Sequence, residues 1–129
     1  SRAFGPYSLQ AAIVAVHAEA PSAAQTDWPQ IVRLYDVLLQ LSPSSVVELN
    51  RAVAVAMRDG PEAGLLLVDE LLGHGDLQDY HLSHATRADL LRRLARIDEA
   101  REAYSSALRF VQLEPERRFL QRQLDELGD

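Results

Sequence analysis

His81 and His84 are the first side chains in this 129-residue sequence whose type and spacing can do chemistry. Three residues apart on a helix, the two rings share a face, and metal sites use that spacing. A metal also needs at least a third ligand, and none stands at metal-site spacing. The reading is therefore no metal and no cofactor, with both rings packed or hydrogen-bonded in a seam between helices. His17, beside the apolar stripe of its own segment, is read the same way. The carboxylate pairs Asp69–Glu70 and Asp98–Glu99 are sequence neighbours, which point in different directions on a helix and make no general acid/base couple. "GHGD", Gly73 to Asp76, lacks the length and the trailing Lys-Ser/Thr of a phosphate loop. Arg92 with Arg93 and Arg117 with Arg118 can meet phosphate, but Asp89, Asp98, Glu114 and Glu116 lie close by, which favours a solvated mixed-charge face. No nucleophile stands beside a base, so the sequence reads as non-catalytic.

Composition narrows the setting. There is no cysteine, hence no disulfide framework and no thiolate site, which points to a reduced, cytoplasmic protein. All 13 basic residues are arginine, a bias given no functional weight, and the net charge is −6. Such a balance opposes direct nucleic-acid binding, which depends on neutralising phosphates. No apolar run approaches the length of a membrane span. The length suits a single domain over residues 1–129, and a chain that opens at Ser1 without Met reads as a fragment of a longer protein.

The elements that must carry these side chains all read as helices. Ser8 to Ala20 puts Leu9, Ile13, Val16 and Ala20 on one face before Pro21 ends it. Thr26 or Asp27 caps a second helix, with Pro29 in its first turn and a stripe of Ile31, Leu34, Tyr35 and Leu38. After Pro43, Ser44 or Ser45 caps a third, whose apolar stripe is expected at Val46, Leu49, Val53 and Met57 until Asp59-Gly60 breaks it. A fourth runs from Pro61 to about Leu72, "GHGD" is read as a flexible loop, and a fifth helix follows over "DYHLSHATRADLLRRLA". The sixth has the cleanest amphipathic pattern: Ala100, Ala103, Tyr104, Ala107, Leu108 and Val111 form one stripe, all expected in the core. A seventh spans about Pro115 to Leu127. No alternating strand pattern competes.

"GPEAGLLLVDEL" and "RIDEAREAYSSAL" echo each other, each with Glu-Ala just after a turn, Glu62-Ala63 and Glu99-Ala100. Ile31, Ala63 and Ala100 mark three units, and Ala88, Ala100, Ala107, Leu94 and Tyr104 fit the small, contact and aromatic positions of a tetratricopeptide unit. The predicted fold is all-α: three imperfect antiparallel helix pairs plus a terminal helix that covers an otherwise exposed apolar face. In such stacks the first helix of each pair lines the concave surface where partners bind. The candidate protein-binding residues are accordingly Asn50 and Arg51 on the third helix and His81, His84 and Arg87 on the fifth. A small-ligand sensor using the same concavity is the alternative, marked by a closed apolar pocket where a protein binder has an open trough.

The segments "GPYSLQAAIVAVHAEA", "TDWPQIVRLYDVLLQLSP", "VELNRAVAVA", "GPEAGL", "YHLSHATRADLLRRLAR" and "ERRFLQRQL", in this order, resemble the C-terminal extension of one group of extracytoplasmic-function RNA polymerase sigma factors. In that family the extension is tetratricopeptide-like and follows two small domains that bind core polymerase and promoter DNA. The resemblance implies a regulatory interaction module of a transcription initiation factor. Its partners would be the sigma factor's own upstream domains or core RNA polymerase.

Overall fold

Short caps and prolines set the helix boundaries. In the computed structural model, which describes residues 11–16 and 25–128, α1 is the helical stretch 11–16. It is followed by α2 (Trp28–Leu41), α3 (Ser45–Asp59), α4 (Pro61–Gly73), α5 (His81–Arg93), α6 (Ile97–Phe110) and α7 (Glu114–Glu126). There is no strand among the described residues. Asp27 is the cap of α2, its carboxylate accepting from Gln30 N at 3.1 Å, and Ser44 caps α3 by accepting from Val47 N at 3.3 Å. Each satisfies an amide that the first turn leaves without a helical partner. Pro29, Pro61 and Pro115 sit in the first turns of α2, α4 and α7, where no amide hydrogen is needed.

The helices form a repeat-like stack in which each packs on the next, and α3 also touches α5. α3 holds the two halves of the core together from opposite sides. Ala54 and Val55 join Ile13, Val16, Ile31 and Val32 of α1 and α2. Leu49, Ala52 and Ala56 join the larger cluster that runs through α4, α5 and α6 to Leu120 of α7. The small positions behave as the repeat pattern predicts: Ala88, Ala100 and Ala107 are fully buried, Tyr104 is buried, and Leu94 is half-buried against them. α3 and α4 approach closely at Gly64. A methyl group placed on Gly64 would lie 2.5 Å from Ala56 Cβ and 2.8 Å from the Ala52 carbonyl oxygen, so only glycine fits there.

The stripe expected on α3 is corrected. Leu49 is core, but Val46 and Val53 are exposed and Met57 is half-buried, while alanines and Val55 make the helix contacts. On α2 the buried set gains Val32, with Leu34 and Tyr35 only half-buried. On α6 Leu108 is half-buried at the edge of the cluster rather than inside it. Ile13 and Val16 are buried as expected, whereas Leu9, His17 and Ala20 lie outside the described residues.

"GHGD" is an ordered helix end, not a free loop. Gly75, at φ 86°, gives its amide to Leu72 O and Asp76 gives its own to Leu71 O, the paired bonds of a Schellman closure. α5 ends in the same way: Ala95 N bonds Arg92 O and Arg96 N bonds Leu91 O. There the left-handed position is held by Ala95, at φ 60°, where glycine is the usual residue.

Candidate functional site

The five candidate residues do not share one face. Arg51 and Arg87, both on first helices, turn toward the second helix of the preceding pair. Arg51 Nε meets Asp36 Oδ1 of α2 at 2.6 Å, and Arg87 Nε meets Asp69 Oδ1 of α4 at 2.7 Å. Each arginine side chain is about three-quarters covered, and its Nε–H holds the carboxylate of the neighbouring helix. Around them lie two shallow, open grooves on the second-helix side. One, between α2 and α4, has a volume of about 240 Å³ and includes Asp36, Glu48, Arg51, Glu70 and His74. The other, between α4 and α6, has a volume of about 410 Å³ and includes Asp69, His84, Arg87, Glu102 and Ser106.

His84 is also occupied within the fold. Its Nε2 donates to the Gln78 carbonyl at 2.6 Å, and its ring stacks on Phe110 at 5.6 Å between centroids. With it the α4–α5 connection closes on itself: Gln78 Nε2 donates to Leu72 O, and the buried Ser83 hydroxyl lies 2.6 Å from Leu77 O and 2.7 Å from Tyr80 O. His81 turns the other way and meets Glu116 Oε2 of α7 at 3.3 Å. The two histidines therefore serve different seams. Among the described residues no three His, Asp or Glu side chains are grouped to hold a metal ion. Nor does any buried side-chain nitrogen or oxygen there lack a hydrogen-bond partner.

Asn50 alone of the five is exposed on the first-helix side, and it lies in unexpected company. Helical spacing puts Val46, Asn50, Val53 and Met57 on one stripe of α3, Leu82, Ala85, Thr86, Asp89 and Arg93 on one stripe of α5, and Pro115, Phe119 and Arg122 on one stripe of α7. Val46, Val53, Leu82 and Phe119 are 40%, 39%, 41% and 51% exposed, high for large apolar side chains. Two clefts join these stripes into a trough. The cleft between α3 and α5 measures about 230 Å³ and is walled by Val53, Met57, Ala85 and Arg93. The cleft between α5 and α7 measures about 270 Å³, is almost wholly apolar, and is walled by Leu82, Ala85, Pro115 and Phe119, with His81 and Glu116 at its edge. Ala85 belongs to both.

The candidate residues named from the sequence include Asn50 on α3 and His81 on α5, but not Val46, Val53, Leu82 or Phe119. Val46, Val53 and Met57 were assigned to the core because their spacing is that of a core stripe. Their number on α3 was the available signal, since together with Leu49, Ala52, Ala54, Val55 and Ala56 they make the helix apolar on more sides than a two-sided core needs.

No protein-family profile matches the chain. An uncharacterized protein of Rhizobium meliloti (strain 1021) is 47% identical over 125 residues, a match that covers 96% of this chain and 29% of that relative. The chain thus spans less than a third of the relative it matches. No solved structure matches it. Among the described residues no helix is long and apolar enough to cross a membrane.

Proposed function

We propose that the chain is a non-catalytic protein-interaction module of an extracytoplasmic-function sigma factor, acting in the cytoplasm on the factor's own upstream domains or on core RNA polymerase. The observation that carries this reading is the trough across α3, α5 and α7. Val53, Leu82 and Phe119 stay 39% to 51% exposed and border two clefts that share Ala85. Large apolar side chains gathered along a groove mark a contact surface rather than ordinary scatter. The sequence resemblance supplies the identity of the partner. The low share of the Rhizobium meliloti relative that is matched leaves room in that protein for further domains.

The small-ligand alternative finds less support, because the clefts are open to solvent, whereas small-molecule sites bury most of their ligand. The acidic balance argues against direct promoter binding by this chain. The test is titration of the chain against the two upstream sigma domains and, separately, against core polymerase, by biolayer interferometry. Saturable binding to one of them is expected. Binding to neither, together with a sequence-specific gel shift of promoter DNA, would overturn the proposal.

A further inference from the structure

We propose that Met57 is a peroxide-sensitive site whose sulfoxide is held by Arg93 and turns one wall of the trough from apolar to polar. This rests on the first-helix face being the interaction surface and adds a way of regulating it.

Three observations converge on the residue. Met57 bears the only sulfur in the chain, which has one methionine and no cysteine, so a mild oxidant has one preferred target. Its side chain is half-buried and walls the cleft between α3 and α5, yet among the described residues it belongs to neither core cluster. The sulfur also has a cation beside it. Arg93 Nη1 of α5 donates to Met57 Sδ at 3.5 Å, while Arg93 Nε is tied to Asp89 Oδ2 at 3.0 Å. Asp89 thus aims the far end of the guanidinium at a thioether, a weak acceptor that leaves this N–H poorly used.

Oxidation gives the N–H a better partner. A sulfur lone pair attacks one oxygen of hydrogen peroxide, and an S–O bond forms as the O–O bond breaks. The departing hydroxide takes the proton of the transferred oxygen and leaves as water. Sulfur gives up two electrons and peroxide gains them. The sulfoxide oxygen is a strong acceptor, and the Arg93 side chain, 43% exposed, is free to shift onto it. The new contact ties α3 to α5 more firmly than the thioether does, while the oxygen makes the wall beside Val53 and Ala85 polar. An apolar partner seated in this cleft then has to strip water from a polar group, which weakens its hold. Methionine sulfoxide reductases undo the oxidation, so the change is reversible.

The experiment treats the 129-residue chain with hydrogen peroxide and follows intact mass, circular dichroism and urea denaturation. One oxygen should be added at Met57 with the helical spectrum kept, at a rate within about tenfold of that in the urea-unfolded chain, because the residue lines an open cleft. Oxidation should leave the urea midpoint of the parent unchanged or raise it. In Arg93→Ala it should lower the midpoint, and Arg93→Lys should recover part of the difference. The oxidised parent should bind the sigma domains or core polymerase at least about fivefold more weakly than the reduced parent, and reductase treatment should restore binding. Met57→Leu, whatever its own affinity, should not respond to peroxide. A sulfur that resists peroxide in the folded chain, or an equal fall of the midpoint in the parent and Arg93→Ala, overturns the proposal. So does equal binding by the oxidised and reduced chains. If the reduced chain binds neither partner, the interaction module falls, and the Met57 site is still decided by the mass and the urea midpoints.

Discussion

Arg87 on α5 and Asp69 on α4 stand 2.7 Å apart, and Arg51 on α3 with Asp36 on α2 repeat the relationship one unit earlier at 2.6 Å. In both cases the first helix of a unit reaches back to the second helix of the unit before it. The pairs recur as the helix pairs do, so they belong to the stacking of the repeat. Arginine suits the task because its long stem reaches the neighbouring helix and its Nε–H meets the carboxylate there.

Because both carboxylates remain about half exposed, the ties are expected to be modest. Arg87→Ala should cost up to about 1 kcal/mol in urea denaturation, and a double-mutant cycle with Asp69→Asn should show coupling that shrinks at high salt. Zero coupling at low salt would remove the pair from the stacking account.

Gly64→Ala should destabilise the chain by roughly 1–3 kcal/mol, since its methyl would meet Ala56 Cβ and the Ala52 carbonyl at distances the packed helices cannot accept. The substitution raises helix propensity, so a neutral or stabilising result would show that α3 and α4 can move apart at no cost.

Ala95→Gly runs the other way. Ala95 holds φ 60° in the Schellman closure of α5, a conformation that costs a residue with a side chain about 1–2 kcal/mol. The extra freedom of glycine in the unfolded chain offsets part of the relief. A net gain of about 0.5–1 kcal/mol is expected in the same denaturation assay.

Alkaline stability should be governed by tyrosine. Burial raises the Tyr104 and Tyr35 hydroxyls above their ordinary value near pH 10, an effect that a hydrogen bond from Arg92 partly offsets at Tyr104. With the folded value above the unfolded one, the contribution is complete below about pH 10. It is lost as the pH rises through the folded value, because the unfolded state then binds fewer protons. The chain has no lysine to titrate in that range. Melting temperatures measured from pH 8 to 11.5 should fall steeply above about pH 10, and the Tyr35→Phe, Tyr104→Phe double variant should fall less steeply. Parallel curves would contradict the assignment.

How much of this the sequence disclosed differs from helix to helix. On α6 one face meets the core and the other meets water, so the spacing of Ala100, Ala103, Tyr104, Ala107 and Val111 identified the buried side directly. On α3 three different surfaces are apolar, and large residues are the natural choice for the core. There the alanines Ala52, Ala54 and Ala56 make the contacts because close helix approach selects small side chains, which leaves Val46 and Val53 outside. Arg51 and Arg87 were recognised as polar groups beside a core stripe, but their partners are 15 and 18 residues away on another helix, which no local pattern specifies. The closure at Ala95 carried no glycine to announce it.

The central claim is that the trough of Val53, Leu82 and Phe119 makes contact while the arginine and histidine ties hold the stack. The most direct measurement compares two double variants for affinity toward the upstream sigma domains and core polymerase, with circular dichroism on each. Val53→Asp with Leu82→Asp should keep the helical spectrum, since both side chains are already exposed, and lose at least about tenfold in affinity. His84→Ala with Arg87→Ala should lose stability and bind within about twofold of the parent chain. The reverse pattern, with binding lost in the second variant and retained in the first, would move the contact surface to the groove between α4 and α6 and contradict the account.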